Sequence, residues 1–315
     1  MDKENRSDKI FFMGKQIDVI SVLIEDKNIV VRGKFLKTAM IKDEIFDNGI
    51  ENPEIFIKHL SNAISTDIFV FGQKIPDLNP KYNYYHEMDN VAVLEITSYD
   101  DWWNKKIDRT ERKMVKKAER KGVQVKIVEI DNEFINGIKG IYDETPIRQG
   151  RFFWHYKKDF EVVKMENIPY LDRAQFVGAY YNGELIGFSK IVFTNNRADH
   201  IQLLSKISHR DKSPTNALIA KAVEICANKG IKYLTYGKYT YGNKGEDSLS
   251  KFKKRNGFEK ICIPKYYIPL TLKGKIFLFL NLHKRFIDIF PPPVVKFLVD
   301  FRENLYLYNY NRLKS

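Results

Sequence analysis

The sequence predicts an α/β (α+β) protein in which helices flank a mixed central sheet, and three observations carry that prediction. Asn182-Gly183 lies between two alternating apolar runs, Gln175–Tyr181 and Glu184–Phe193, the pattern of a two-residue hairpin turn. A long helix is expected over Pro214–Lys229, with Leu218, Ile219, Ala222, Val223, Ile225 and Cys226 at helical spacing and Gly230 as its stop. From Val123 onward, segments of the two kinds alternate, so the helices must bury their apolar sides against a sheet.

The elements follow in order. Ile17–Ile24 and the stretch from Asn28 to Met40 are rich in Val and Ile around the polar Glu25-Asp26-Lys27, which predicts a hairpin. Asn52-Pro53 starts a helix whose Ile55, Phe56, Ile57, Leu60 and Ile64 recur at helical spacing. Ile68–Phe71 reads as a buried strand and Val91–Ile96 as an extended one. Tyr99–Gly122 reads as one charged helix with nine basic residues and a thin stripe of Trp103, Ile107, Met114 and Ala118. Two readings of its charge stand side by side. Either it is a solvated face with ion pairs such as Asp101 with Lys105 and Asp108 with Arg112, or some of Arg109, Arg112, Lys113, Lys116 and Lys117 face a polyanion. Beyond it come a strand at Val123–Ile130, helices at Asp131–Glu144 and around Phe160–Val163, and then the hairpin. A strand at His200–Ile207, the long helix, a strand at Tyr233–Tyr236, a helix at Ser248–Asn256 and a strand through Ile261–Leu270 complete the pattern.

At 315 residues the chain has room for two domains, and 43 % hydrophobic with 14 % aromatic residues describes a folded globular protein. Cys226 and Cys262 have no CxxC spacing, which fits a reducing, cytoplasmic setting. The polar start from Met1 to Lys9 lacks the pattern of a signal peptide, and Ile276–Phe301 is too interrupted to span a bilayer. The net charge of +13 is uneven: residues 1–95 hold 12 basic against 16 acidic side chains, residues 96–271 hold 33 against 21, and residues 272–315 hold 8 against 3. The excess therefore sits downstream and calls for a phosphorylated ligand, a nucleic acid or an anionic surface.

The informative stretch is the loop before the long helix. Arg210, Asp211 and Lys212 precede Ser213-Pro214, which has the form of an N-cap and a first helical residue. Free N–H groups at such a helix start, its dipole and the flanking Arg210 and Lys212 favour a pyrophosphate; an ordinary capped helix explains the same residues.

The element order from Val123 resembles the GNAT N-acyltransferase family. Arg210, Ser213 and Thr215 occupy the spacing of that family's R/Q-x-x-G-x-G/A loop, with both glycines replaced, and Lys253–Phe258 is similar to its helix-then-Gly-Phe ending. Arg109–Gly122, the strand at Val123–Val128 and Ser213–Leu218 resemble the Fem-type peptidyltransferases, a branch built of two GNAT-like units. The resemblance implies a reduced GNAT-like unit over 1–98, a GNAT-like acyltransferase domain over 99–271 and a basic, apolar helical tail over 272–315. It implies transfer of an acyl group, acetyl foremost, from acyl-CoA to an amine acceptor such as a cell-envelope or polysaccharide precursor. An aminoacyl-tRNA donor is the alternative within the branch, and a non-catalytic nucleic-acid or membrane binder the alternative outside it.

Such chemistry needs a proton acceptor, oxyanion stabilisation and an acid for the leaving group. The resemblance places the donor against Leu204, Ser205, Arg210, Lys212, Ser213, Thr215 and Asn216, with a backbone N–H of Leu203–Ser205 for the oxyanion and Tyr241 or Tyr239 as acid. Glu144, Arg148, Arg151, Trp154 and His155 crowd a segment too polar for a core helix and too aromatic for a plain loop. Glu144 and His155 are its candidate catalytic groups, and Arg148, Arg151 and Trp154 its candidate acceptor contacts. His200 reads as a strand histidine and His209 as an exposed one. No spacing suggests a metal site. The tail, which mixes large apolar with basic side chains, reads either as a helix covering the catalytic unit or as a peripheral membrane contact suited to a lipid-linked acceptor.

Overall fold

A computed structural model of the chain describes residues 6–12, 15–148, 151–242, 247–284 and 290–312. Residues 1–5 of the polar start, 149–150 of the aromatic segment and 285–289 of the tail lie outside the described residues. In chain order come β1 (Arg6–Phe12), β2 (Lys15–Ile24), β3 (Lys27–Arg32), β4 (Thr38–Ile41), α1 (Pro53–Ala63), β5 (Ile68–Gly72) and β6 (His86–Glu95). A single turn, α2 (Tyr99–Asp101), is followed by α3 (Arg109–Arg120), β7 (Gln124–Val128), α4 (Asn132–Tyr142), the short β8 (Ile147–Arg148) and β9 (Arg151–Phe152), and α5 (Phe160–Asn167). Then come β10 (Ala174–Tyr181), β11 (Glu184–Thr194), β12 (Arg197–Ser205), α6 (Pro214–Asn228), β13 (Tyr233–Thr235) and α7 (Ser248–Arg255). The chain closes with β14 (Glu259–Pro269), α8 (Leu272–Phe279) and α9 (Pro292–Arg312).

The chain divides into two compact units, one of Met1–Asn90 with Ile261–Ile289 and one of Val91–Lys260 with Phe290–Ser315. The expected boundary at 98 thus falls at 90–91, and 261–289 packs with the first unit because β14 pairs with β5 from Lys265↔Gly72 to Pro269↔Ile68. The expected tail is likewise divided, α8 going with the first unit and α9 with the second.

In the first unit, β1 to β4 form an antiparallel meander and β4 pairs parallel with β5 through α1. The Asn52 side chain caps α1 by accepting from Ile55 N–H, and Pro53 takes the first turn, as expected. Phe56 and Leu60 on α1 are fully buried against Ile29, Ala39, Phe69 and Tyr266. The sequence reading missed β1 and ran β3 on to Met40. The chain breaks instead at Gly33, whose φ of 96° and approach to the Leu36 carbonyl exclude a Cβ.

The second unit repeats that plan with more helix. Strands β10, β11 and β12 form an antiparallel meander, β7 adds at one edge, and β12 pairs parallel with β13 through α6. Asn182 and Gly183, at φ of 51° and 81°, make the expected turn between β10 and β11. The long charged helix is a correction: it breaks at Ile107-Asp108 after a π-helical turn over Trp102–Lys106. Trp102, fully buried, donates to the Asn256 carbonyl, and Asp108 N–H donates to Arg255 O, so the end of α7 holds the chain at the break. Asp101 and Lys105 pair at 2.8 Å as expected, whereas the Asp108 side chain caps α3 at Thr110 N–H. Among the described residues no helix is long and apolar enough to cross a membrane.

Two lysines in this unit are nearly sealed, Lys190 and Lys253 being each 1 % exposed. Lys190 donates to the carbonyls of Asn167 and Pro169 and Lys253 to that of Lys238, and burial pushes both ammonium groups down to about 8. Below pH 8 the folded and unfolded chains both carry these protons. Between about 8 and the ordinary value of 10.5 the unfolded chain binds more, so stability is expected to rise with pH across that window. Urea unfolding at about pH 7.5 and about pH 9.5 checks it: wild type gains stability, and Lys190→Met/Lys253→Met removes the gain.

Candidate active site

Strands β12 and β13 keep company for only three residue pairs, ending at Asp199↔Thr235. Beyond that point β13 continues along β6, with Tyr236 N–H donating to Ala92 O and Ala92 N–H to Gly237 O, while β12 continues along β11 to Ser205. The two strands part, and among the described residues the far edge of β12 has no strand partner from His200 onward. A bulge sits at the same place: Lys190 faces Gln202 and Ile191 faces His200, so Ile201 is the extra residue. Lys206 N–H donates to Ile186 O, and strand amides alternate, so the N–H of Leu204 points to β11 while those of Leu203 and Ser205 point to the open edge. An oxyanion donor at this edge is therefore Leu203 or Ser205, not Leu204.

At the open end of β12 the loop Ile207–Lys212 forms a short 3₁₀ turn leading into α6. Ser213 stands where an N-cap was expected but does not cap: its backbone is left-handed at φ 55°, and its hydroxyl donates to Met114 Sδ on α3. Pro214 has no N–H and the Ala217 amide reaches Ser213 O, so among the described residues the Thr215 and Asn216 amides are the ones left at the start of α6 without an intrahelical acceptor or a side-chain cap. Asn216 is also committed elsewhere, being buried and donating to the buried Glu111 carboxylate on α3. Thr215 shares a hydroxyl contact with Ser205 at 2.9 Å. Of the residues at this loop, Arg210 is exposed, while the Lys212 side chain is largely buried, set 4.7 Å over the Tyr181 ring and 3.2 Å from Asp211. An open depression of about 640 Å3 lies along α3, lined by Lys113, Met114, Lys116, Lys117, Glu119 and Arg120. Met114, one of its lining residues, accepts from the Ser213 hydroxyl before α6.

Glu144 and Arg148 anchor this loop. The Glu144 carboxylate accepts from Ile207 N–H, Ser208 N–H and the Ser208 hydroxyl, and Arg148 lies 3.3 Å away. Burial raises the Glu144 carboxyl, but the Ser208 and Ile207 amides, the Ser208 hydroxyl and Arg148 outweigh it and hold the group below the usual carboxylate range. Arg148 in turn donates to the carbonyls of Ser205 and Ile141 at 2.9 and 2.8 Å and lies over the Phe153 ring. Both side chains were expected in the acceptor cleft, one as base and one as contact; the Glu144 carboxylate and the two terminal nitrogens of Arg148 instead tie the β12–α6 loop to α4, while Arg148 Nε is buried without a partner among the described residues. A carboxylate so filled is a poor proton acceptor.

His155 is differently placed. Its Nδ1 lies 2.9 Å from Glu166 on α5, a carboxylate that also pairs with Lys158. Burial raises Glu166, and the hydrogen bonds from His155 and Lys158 prevail and hold it low. The imidazole stacks 4.6 Å from the Tyr142 ring, and the Tyr142 hydroxyl receives Gln202 Nε2 at 3.3 Å, next to the bulge. With Nδ1 so held, Nε2 is the nitrogen left over, and among the described residues it has no partner. Glu166 was missed because it lies 11 residues from His155 on an ordinary helix.

Tyr241 is 37 % exposed, its hydroxyl bonded to the Lys238 backbone and its ring 5.2 Å from Lys253 Nζ. Burial raises its phenol, partly offset by the Lys238 amide and by the charge of Arg151, which the structure brings near it. Tyr239 is buried and Trp154 half exposed. His200 is sealed against Ser189 and Tyr236, and burial pushes it down to about 3. His209 is half-buried and bonds Ser208. Burial pushes the Cys226 thiol up to about 12, which leaves it unreactive.

A three-stranded meander, a helix begun by proline and a parallel strand that parts from its neighbour beside a bulge define the GNAT fold, here preceded by a reduced unit on the same plan. No family model and no curated protein matches the chain. Among solved structures it is similar to FemX, with a TM-score of 0.58 at 11 % identity over 88 % of this chain and 90 % of that one. It is also similar to L-PGS from Bacillus licheniformis, with a TM-score of 0.53 at 14 % identity over 85 % and 90 %. A third is the C-terminal DUF2156 domain of an Agrobacterium fabrum protein assigned as a lysylphosphatidylglycerol synthetase, at 0.55, 12 %, 84 % and 88 %. At these identities the likeness is one of fold.

Proposed function

We propose that the protein is an acyltransferase that moves an acyl group from acyl-CoA to an amine on a small-molecule or cell-envelope precursor in the cytoplasm. The observation that supports it is the parting of β12 from β13 next to the uncapped start of α6, flanked by Arg210 and Lys212. The pyrophosphate of the donor fits the free amides and the two cations, and its thioester lies along the open edge of β12. The acceptor nitrogen forms a bond to the acyl carbon while His155, steadied by Glu166, takes its proton. Leu203 or Ser205 N–H receives the oxyanion; the C–S bond then breaks, and Tyr241 supplies a proton to the thiolate.

A second reading has its own support. The Lys113, Lys116, Lys117 and Arg120 side chains along the depression bring more charge than one pyrophosphate needs, and both loop glycines of the acyl-CoA pattern are replaced. An aminoacyl-tRNA donor would use that charge. Thermal shift with acetyl-CoA, longer acyl-CoAs and charged tRNA separates the two. At a donor concentration of about 100 Kd the true donor stabilises by about 2.7 kcal/mol. Arg210→Ala is expected to weaken acyl-CoA binding by about tenfold. Unchanged affinity removes the loop from the donor site, and a shift with charged tRNA alone selects the second reading. Failure of every donor to shift the protein or to react overturns both in favour of a binding protein.

A further inference from the structure

One surface of the first unit is apolar and basic together. In the loop between β3 and β4, Phe35 is 75 % exposed, and α8 turns Leu272 and Phe279 outward at 74 % and 85 %, with Ile276 about half exposed. Loop and helix form one surface: Lys273 Nζ donates to the Phe35 carbonyl at 2.6 Å and sits 5.3 Å over its ring, while Leu36 packs with Phe277 and Leu278 in one cluster. The helix cannot roll to hide its outer side chains. Gly274 lies so close to Asp67 that an added Cβ would meet its carbonyl oxygen at 2.1 Å, which fixes the face of α8 that points inward.

Residues 33–37 and 272–284 contain Lys34, Lys37, Lys273, Lys275 and Lys284 and no acidic residue. The neighbouring carboxylates Asp67 and Glu87 are already paired, with Lys273 at 2.9 Å and Lys284 at 3.1 Å. A second copy of the chain fits this face poorly, because two-fold contact sets lysines against lysines. Large exposed apolar side chains ringed by cations match an anionic bilayer: the apolar groups enter the headgroup region and the lysines meet lipid phosphates.

We propose that the β3–β4 loop and α8 dock the protein peripherally on an anionic lipid bilayer, with Phe35, Leu272, Ile276 and Phe279 inserted and Lys34, Lys37 and Lys275 on the phosphates. The docking is independent of which donor the protein uses. Its test is flotation of the full chain with vesicles of about 30 % phosphatidylglycerol in phosphatidylcholine and with pure phosphatidylcholine, at about 0.05 and about 0.5 M salt. Wild type is expected on the anionic vesicles at low salt. Phe35→Ser/Phe279→Ser, which alters only exposed side chains, weakens the partition by about tenfold or more. Lys34→Gln/Lys37→Gln/Lys275→Gln lowers it by about a hundredfold on the anionic vesicles alone. No wild-type binding, or serine-variant binding equal to wild type, overturns the proposal. So does a dimer in sedimentation that the serine variant dissolves without any vesicle binding, since the face then belongs to a second copy.

Discussion

Replacing His155 by glutamine is expected to lower the transfer rate constant by about 10²- to 10⁴-fold, the usual loss when a positioned proton acceptor is removed. The substitution keeps a polar group beside Tyr142 and disturbs only a partly exposed side chain, so the unfolding midpoint should move little. Glu166 gives the expectation a second handle. If its carboxylate holds the Nδ1 proton, nitrogen-detected spectra of His155 show the Nδ1–H tautomer in wild type, and Glu166→Ala shifts the ring toward Nε2–H. That readout does not require a known acceptor. Glu166→Gln should lower kcat with KM nearly unchanged, because it disturbs the orientation of the imidazole and not the binding of either substrate. Full turnover by His155→Gln would remove the histidine from the chemistry, and an unaltered tautomer in Glu166→Ala would remove the carboxylate from its support.

The elements most legible in the sequence were those set by local chemistry. Asn182-Gly183 dictates its turn through two positive φ values, and Asn52-Pro53 and Ser213-Pro214 mark helix starts because proline tolerates only the first turn. What stayed hidden was settled by partners distant in sequence. The break after Lys106 depends on the end of α7, about 150 residues away, and a helical wheel of 99–122 contains no sign of it. Ser213 carries the residue type of a cap, yet Met114 and the left-handed backbone turn its hydroxyl away. The segment around 144–155 was recognisable as a functional region by its composition, but composition does not say which carboxylate is free. Glu144 lost that role to two amides of a loop more than 60 residues downstream, and Glu166 acquired its own from a helix that carries no motif.

Glu144→Ala is expected to cost about 2 kcal/mol of stability, because it removes the acceptor of the half-buried Ile207 amide and takes from Arg148 its carboxylate partner. The pH dependence follows from the same contacts. The folded carboxyl titrates below the ordinary 4.5, so its contribution is fully present above that value and is lost as the pH falls through the folded pKa. Acid unfolding of wild type therefore carries a component that Glu144→Ala lacks, and the two stability curves converge at low pH. The loop this carboxylate holds is the one that bears Arg210 and Lys212, so donor affinity should fall together with stability, and Arg148→Met should reproduce both losses. Turnover would then decline through KM for the donor more than through kcat. The opposite pattern, a fall in kcat with stability and donor affinity intact, would return Glu144 to the role of proton acceptor and leave His155 without one.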